Sequence, residues 1–348
     1  MRTLTNTCSS VRNVFQCSCR DGNLAMAQWL AASGLTADDA RSMNNYALRV
    51  SCEKGHLAMA QWLMMAFGLT VADARSCDNY ALHHSCANGH LGIAQWLVAA
   101  FGLTAADARS AGNNALCLSC AKGHLGIAQW LVETFSLTAD DARSSDNCAL
   151  RHSCANGHLG IAQWLMKTFD FTAADIRSNR NYALRWACTN GHLEAAQWLV
   201  ATFDLTAEDA RSCDNHALHD CHTDGHLAMA QWLVETFSLT ADDARSGDNY
   251  VLRFSCANGH LATAKWLVAA FGLTAADVRS QNYYALRISC ENGHLAMAQW
   301  LVATFGPTAD GVTADDACSL DYALRSSRAN GHLATARWLV YTFGLADL

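Results

Sequence analysis

The sequence predicts an all-α protein, an α-solenoid of short helical repeats stacked on one another, and two observations support this. Gly-His-Leu recurs nine times, with seven intervals of 34 residues and a last one of 38, and the variant Gly22-Asn23-Leu24 lies 33 residues before the first. Tryptophan follows each of these ten glycines by seven residues, which places ten of the 11 tryptophans in one column. Repetition at a fixed period of this length is typical of solenoids.

The second repeat shows how each unit is predicted to begin. Leu48, Ser51 and Cys52 are spaced i, i+3 and i+4, which is one face of a short first helix. Asn45 is expected to be its N-cap, since an Asn side chain accepts a hydrogen bond from a free amide of the first turn. Gly55 is expected to end the helix, because glycine adopts the left-handed conformation without steric cost.

A second helix is predicted from Leu57 to about Phe67. It is apolar nearly all round, so we expect it to be covered by other helices on all sides. The unit closes with Thr70 and, three residues later, Asp73, which resembles a capping box. We therefore expect one short helical turn there rather than a β-hairpin.

The repeats are predicted to form one domain. An N-terminal cap is expected over residues 1–11, and Arg328, which replaces a cysteine of the column, is expected to face solvent at the other end. The interval of 38 residues holds an insertion, Pro307 to Val312. We expect a single solenoid over residues 12–348, with ten repeats: 12–44, 45–78, 79–112, 113–146, 147–180, 181–214, 215–248, 249–282, 283–320 and 321–348.

These units resemble the ankyrin-repeat family, whose repeats read Thr-Pro-Leu-His-x-Ala-Ala-x-x-Gly-His before an apolar helix. The segment from Tyr182 to Leu193 aligns with that pattern, and His83 and His219 keep the family's histidine after Leu. The Thr-Pro opening is lost, and Leu-Thr-Ala-x-Asp-Ala-Arg-Ser replaces the hairpin text. The resemblance implies an ankyrin-like stack, with short helical turns in place of the β-hairpin fingers and the first helices on a concave face.

Charge and hydropathy argue against two classes of partner, nucleic acids and membranes. Lys and Arg total 24 against 31 for Asp and Glu, a net charge of −7, which disfavours a nucleic-acid binder. The longest apolar stretches are too short to span a bilayer, and residues 1–19 lack the apolar core of a signal peptide. We expect no contact with nucleic acid or membrane, and a cytoplasmic or nuclear location.

The sequence contains sixteen cysteines, so disulfide bonds and metal sites are considered. Eight lie three residues before the repeat glycine, and equivalent positions of neighbouring repeats are expected about 8–10 Å apart, too far for a disulfide. We expect them to be buried free thiols, and the Gly-linked histidines to be hydrogen-bonded turn residues. One repeat carries a weak metal-site candidate, in which side chains recur at helical spacing: His216, His219, Asp220 and His222. Ordinary drift in a duplicated repeat is the favoured explanation.

No phosphate loop, Ser-His-Asp arrangement or His-Glu-x-x-His motif is visible. We therefore predict no enzyme activity and no cofactor. Partner-specific information is expected where the copies differ, in the column that follows Arg or His on the first helix. The candidate binding residues on the concave face are His84, Leu118, His152, Trp186, Asp220, Phe254 and Ile288. Trp186, Phe254 and Ile288 are the sharpest candidates for interface anchors, although the favoured interpretation is that the column is half buried against the next loop and fills space.

Two rows of arginine accompany this column. A regular row, Arg41, Arg75 and their equivalents, is too uniform to be specific for one partner. A second row could dock acidic peptide segments, although pairing with the Asp of the next loop is favoured: Arg49, Arg151, Arg185, Arg253 and Arg287.

The favoured function is a monomeric, non-catalytic protein–protein interaction scaffold that binds a protein or peptide on its concave face. The alternative is a structural protein that polymerises end to end through its terminal repeats.

Overall fold

The computed structural model of the chain describes residues 2–223, 225–306 and 314–345, with side chains described for 11–221, 225–306 and 318–345. These residues form 25 α-helices and no strand, which confirms the all-α class. None of the described helices is long and apolar enough to cross a membrane. The chain divides into two compact units, Met1–Asp175 and Ile176–Leu348. A single continuous row through all ten repeats stays a prediction.

The first unit contains a repeated order of helices. A first helix, often merged with the short helix before it, is followed by a second helix of 9–11 residues. A short helix is counted in the repeat of the first helix that follows it. The bounds are α1 (Arg2–Arg20), α2 (Leu24–Ala32), α3 (Ala37–Glu53), α4 (Leu57–Phe67), α5 (Val71–Ala74), α6 (Ser76–Ala87), α7 (Leu91–Phe101), α8 (Ala105–Ala108), α9 (Ser110–Ala121), α10 (Leu125–Phe135), α11 (Ala139–Ala155), α12 (Leu159–Phe169) and α13 (Ala173–Ile176), whose last residue opens the second unit.

The second unit repeats the same order. The predicted insertion, Pro307 to Val312, lies outside the described residues. The bounds are α14 (Ser178–Thr189), α15 (Leu193–Phe203), α16 (Ala207–Ala210), α17 (Ser212–Thr223), α18 (Leu227–Phe237), α19 (Ala241–Ala257), α20 (Leu261–Phe271), α21 (Ala275–Val278), α22 (Ser280–Glu291), α23 (Leu295–Phe305), α24 (Ala314–Ala329) and α25 (Leu333–Phe343).

The second helices are buried on one face only. In α4, Met59, Ala60 and Leu63 are buried, whereas Met65 on the other side is 72% exposed. The prediction that this helix is covered on all sides is therefore wrong: the row of helices covers one face, and small or flexible apolar side chains face solvent. Trp62 is half-buried, with its ring edge-on to Phe67 at 5.6 Å.

Among the described residues, a left-handed turn precedes the first helix of eight repeats. Met43, Asn44 and Asn45 have φ values of 54°, 55° and 57°, a conformation that costs most L-residues roughly 1–2 kcal/mol each. The prediction that Asn45 is an ordinary N-cap is wrong, because an N-cap residue is extended. Asn45 is buried and is the last residue of this turn.

The equivalent Asn side chains link neighbouring repeats. Nδ2 of Asn79 donates to Oγ of Ser110 at 3.0 Å, and Asn113 and Asn215 make the same bond to a serine of the next repeat. Asn suits the position twice over, since its short polar side chain tolerates left-handed φ and its amide can bridge to the next repeat. The near-constant Asn is a sequence signal for this turn, although the N-cap role predicted for it is wrong.

Each short helix begins with a capping box, as predicted. At α8, Oδ2 of Asp107 accepts hydrogen bonds from the backbone N and the Oγ1 of Thr104, at 2.7 and 3.0 Å. The same carboxylate also accepts two hydrogen bonds from Arg75 of the preceding repeat, at 2.6 and 2.9 Å. One aspartate thus caps its own helix and pairs with its neighbour.

This pairing forms an Arg–Asp ladder along each unit, with N···O distances of 2.6–3.1 Å. It explains why the regular row of arginine is uniform, because the seven copies from Arg41 to Arg245 make the same contact between repeats. The described pairs are Arg12–Asp39, Arg41–Asp73, Arg75–Asp107, Arg109–Asp141 and Arg143–Asp175 in the first unit, and Arg177–Asp209, Arg211–Asp243 and Arg245–Asp277 in the second.

The Asn-Gly-His segment clamps the preceding repeat. Nδ2 of Asn88 donates to the carbonyl oxygen of Glu53 at 3.1 Å, and Nε2 of His90 lies 3.1 Å from the same oxygen. Gly89 between them has φ +83°, and a Cβ there would lie 2.9 Å from the ring of the next repeat's His124. The histidines therefore satisfy a free carbonyl at a helix end, which confirms the predicted hydrogen-bonded role.

The cysteine column is buried, as predicted. Cys86 and Cys120 are inaccessible to solvent, and burial raises the pKa of each thiol to about 12. A disulfide that the column argument did not predict joins Cys117 to Cys148, whose Cα atoms are 5.6 Å apart. These two cysteines belong to other columns, and they link α9 to α11 of the next repeat.

Candidate interaction surface

In each unit the candidate binding residues lie on the first helices. All seven are half-buried, so each presents part of its side chain and packs the rest against its neighbours. The column is therefore accessible, yet it also fills space, as the second interpretation held. The residues are His84, Leu118 and His152 in the first unit, and Trp186, Asp220, Phe254 and Ile288 in the second.

In the second unit two of the four column residues are aromatic, Trp186 and Phe254. The ring of Phe254 stacks on Tyr250, four residues earlier, at 4.1 Å and 19°. Trp186 is tilted against Tyr182 at 5.7 Å and against His216 of the next repeat at 6.0 Å. Residues four apart share one helix face, so Trp186 and Phe254 are each held in place by a tyrosine of their own helix.

In the first unit a column residue also stacks on a tyrosine four residues earlier, but the column residue is a histidine and the tyrosine hydroxyl bonds to a carboxylate. His84 stacks on Tyr80 at 3.8 Å, and Oη of Tyr80 donates to Oε2 of Glu53 at 2.7 Å. Burial raises the pKa of Tyr80 to about 12, and the Glu53 carboxylate contributes to the shift. Burial also lowers the pKa of His84, so this imidazole stays neutral near pH 7.

The arginines beside the column contact their own repeat. Nε of Arg49 donates to the carbonyl oxygen of Asn44 at 2.7 Å, and Arg185 and Arg253 donate to turn carbonyls in the same way. The favoured prediction, pairing with the Asp of the next loop, is wrong. The left-handed turn directs its carbonyl groups toward the helix that follows, and the arginine side chain caps them; Asp107 and its equivalents pair with the other arginine row.

Where histidine replaces this arginine, it makes a different bond. Nε2 of His83 lies 3.0 Å from Oγ of Ser110, and Nε2 of His219 lies 2.7 Å from Oγ of Ser246. Both histidines are buried, and burial lowers the pKa of each to about 4. They are neutral structural links between repeats rather than exposed binding residues.

The weak metal-site candidate does not converge in the described residues. Nε2 of His216 pairs with Asp220 at 3.1 Å, whereas Nε2 of His219 faces Ser246. The side chain of His222 lies outside the described residues. Among the described side chains, no group of three or more His, Cys, Asp or Glu residues is arranged to hold a metal ion.

The fold and this surface define a helical repeat protein with a variable face, and comparison with protein families agrees. The family model for ankyrin repeats matches in three overlapping copies, over residues 65–141, 82–178 and 150–248. Together these matches cover just over half of the chain. The chain therefore belongs to the ankyrin-repeat family, as the Gly-His register predicted. No curated protein matches the chain. Ankyrin repeats generally mediate protein–protein interaction.

Proposed function

We propose that the chain is a non-catalytic scaffold that binds a protein or peptide on the face lined by its first helices, which we take to be the concave face. The observation that carries this proposal is the pair of half-buried aromatic residues in the second unit's column, with Trp186 tilted against Tyr182 and Phe254 stacked on Tyr250 of their own helices. Rigid aromatic side chains dominate binding hot spots, and a side chain already held in place loses little entropy on association.

The repeat chemistry supports this assignment. The Arg–Asp ladder, the buried Asn side chains and the Gly-linked histidines all bond between repeats, so they belong to the scaffold. The column that varies most between copies is the one these contacts leave half-exposed.

We expect Trp186→Ala and Phe254→Ala each to weaken partner binding about thirtyfold, as loss of a hot-spot anchor does. Partners captured by the full chain would be compared with those of each variant by quantitative pull-down. Trp198→Ala is the matched control, because it removes the same ring from the second helix of the same repeat. Variants that fold as the parent does, by circular dichroism, and retain every partner would refute the proposed surface.

A second candidate function is end-to-end polymerisation. Its support is the outer side of α25, where Leu333 and Tyr341 are 58% and 91% exposed. Light scattering over a dilution series separates the two candidates. A constant monomer mass supports the scaffold, and growth of the particle with concentration supports the polymer.

The proposal also places the chain in the cytoplasm or nucleus, without nucleic-acid or membrane partners. The negative net charge supports the first exclusion. The column of buried free thiols supports a reducing compartment, whereas the Cys117–Cys148 disulfide forms only under oxidising conditions and counts against it.

A further inference from the structure

A recurring contact joins an arginine of one first helix to a tyrosine of the next, and we name it the Arg–Tyr step. The guanidinium carbon lies 4.7 Å from the ring centroid in Arg49–Tyr80, 5.1 Å in Arg253–Tyr284 and 4.9 Å in Arg287–Tyr322. Each is a cation–π pair. Among the described residues, none of these three arginines forms an ion pair with a carboxylate.

At two of the three steps the chain itself supplies a carboxylate. Glu53 lies four residues after Arg49, and its Oε2 accepts a hydrogen bond from Tyr80 Oη at 2.7 Å. Glu291 lies four residues after Arg287, and its Oε2 is 3.4 Å from Tyr322 Oη. The Arg–Tyr step therefore has a preferred complement in this protein, an acidic side chain beside the tyrosine hydroxyl.

The third step differs at this position alone. The residue four after Arg253 is Ala257, which has no group that could reach Tyr284. Tyr284 is half-buried, and no described residue makes a hydrogen bond to its hydroxyl. Asp220, on the preceding first helix, is already paired with His216. Phe254 lies next to Arg253 in the chain, so the step adjoins the aromatic column.

Resting on the proposed function, we propose that the Arg253–Tyr284 step binds an aspartate or glutamate side chain of an acidic peptide segment of the partner. The partner's carboxylate takes the place that Glu53 and Glu291 occupy at the other two steps. Oη of Tyr284 donates the hydrogen bond, as Oη of Tyr80 does to Glu53, and the nearby guanidinium of Arg253 adds a favourable charge without a direct bond. Arg287 lies 6.0 Å from the same tyrosine ring, which extends the positive surface to a second acidic residue. In an extended peptide, side chains on one face recur every second residue, about 6.6 Å apart, so the acidic residues of a bound peptide are expected at alternate positions.

The test places a carboxylate of the protein itself, through Ala257→Glu, where the partner's carboxylate is proposed to bind. Random phage-displayed peptides of about twelve residues, long enough at ~3.3 Å per residue to cross three repeats, are selected on the immobilised full chain. Selected peptides are then synthesised with a fluorescent label, and their affinities are measured by anisotropy. We expect enrichment of Asp and Glu. We also expect Ala257→Glu, which occupies the site and repels an acidic side chain, and Arg253→Gln, which removes the positive charge, each to weaken binding roughly tenfold.

The matched control is Ala121→Glu. It places the same charge at the equivalent position of a repeat that has Cys117 and Cys148 in place of the Arg–Tyr pair, so affinity should not change. Tyr284→Phe, which removes only the hydroxyl, should weaken binding a few-fold.

The outcomes separate the inference from the function on which it rests. Selected peptides without acidic bias that bind Ala257→Glu as tightly as the parent, yet lose affinity for Trp186→Ala, would overturn the inference and leave the proposed function standing. Failure to select any peptide, or selection of peptides that bind Trp186→Ala and Phe254→Ala unchanged, would count against both.

Discussion

Asp141→Ala should lower the free energy of unfolding by about 2–3 kcal/mol. The Asp141 carboxylate accepts hydrogen bonds from Thr138 N and Oγ1 in its own capping box, and from Nε and Nη2 of Arg109 in the preceding repeat. Loss of an N-terminal cap costs about 1 kcal/mol, and loss of the charged hydrogen bonds adds about 1–2 kcal/mol once the exposure of Arg109 is taken into account. Urea-induced unfolding followed by circular dichroism measures the change.

The neighbouring residue is the control for this prediction. Asp140 is exposed and precedes the capping aspartate directly, so Asp140→Ala should change stability by less than about 0.5 kcal/mol. Equal effects of the two substitutions would show that the Arg–Asp ladder does not hold the repeats together.

The Asp141 effect also depends on pH. The hydrogen bonds from Arg109, helped by those from Thr138 and partly opposed by burial, lower the pKa of the Asp141 carboxyl to about 2. A carboxyl whose pKa is lowered on folding stabilises the protein above its unfolded pKa of about 3.8. The difference between parent and Asp141→Ala should therefore be constant at neutral pH and shrink as the pH falls from about 4 to about 2.

Reduction of the Cys117–Cys148 disulfide should lower the free energy of unfolding by about 3–4 kcal/mol. The two cysteines are 31 residues apart, and a cross-link over a loop of that length removes this much conformational entropy from the unfolded chain. Denaturant unfolding with and without dithiothreitol measures the effect. Cys117→Ser combined with Cys148→Ser is the control, since its stability should not respond to the reductant.

The position of the disulfide suggests a second comparison. Cys117 and Cys148 stand where Arg49 and Tyr80 stand in an earlier pair of repeats, also 31 residues apart. Cys117→Arg combined with Cys148→Tyr should restore an Arg–Tyr step and fold without the cross-link. A parent protein with the same unfolding free energy in both redox conditions would refute a stabilising role for the disulfide.

Periodicity predicted the features that every repeat shares. The second helix from Leu57 to Phe67, the left-handed Gly55 and the short helix with its capping box all follow from local patterns, and the structure confirms them. The regular repeat register gives the packing distance between equivalent positions. That distance predicts that the cysteines of the column do not form disulfides with one another. Features set within one repeat are thus accessible from sequence.

Features set by contact between repeats were harder to predict. The left-handed turn at Met43, Asn44 and Asn45 is unfavourable locally and persists because Arg49 caps its carbonyls. At the equivalent turn, Asn79 also bonds to Ser110 of the next repeat. No local propensity encodes it. The Cys117–Cys148 pair had a usable signal, since the two lie in adjacent columns one repeat apart. The aromatic column was predicted as a set of positions, whereas its stacking on the tyrosines four residues earlier was not.

The central claim, that the first helices of the second unit bind the partner, is tested most directly by hydrogen–deuterium exchange of the full chain with and without a selected peptide. The account predicts slower exchange in peptides from α14 and from the C-terminal half of α19, which carry Trp186 and Phe254, and unchanged exchange in α15 and α20. Protection confined to α15 and α20, with none on the first helices, would contradict it.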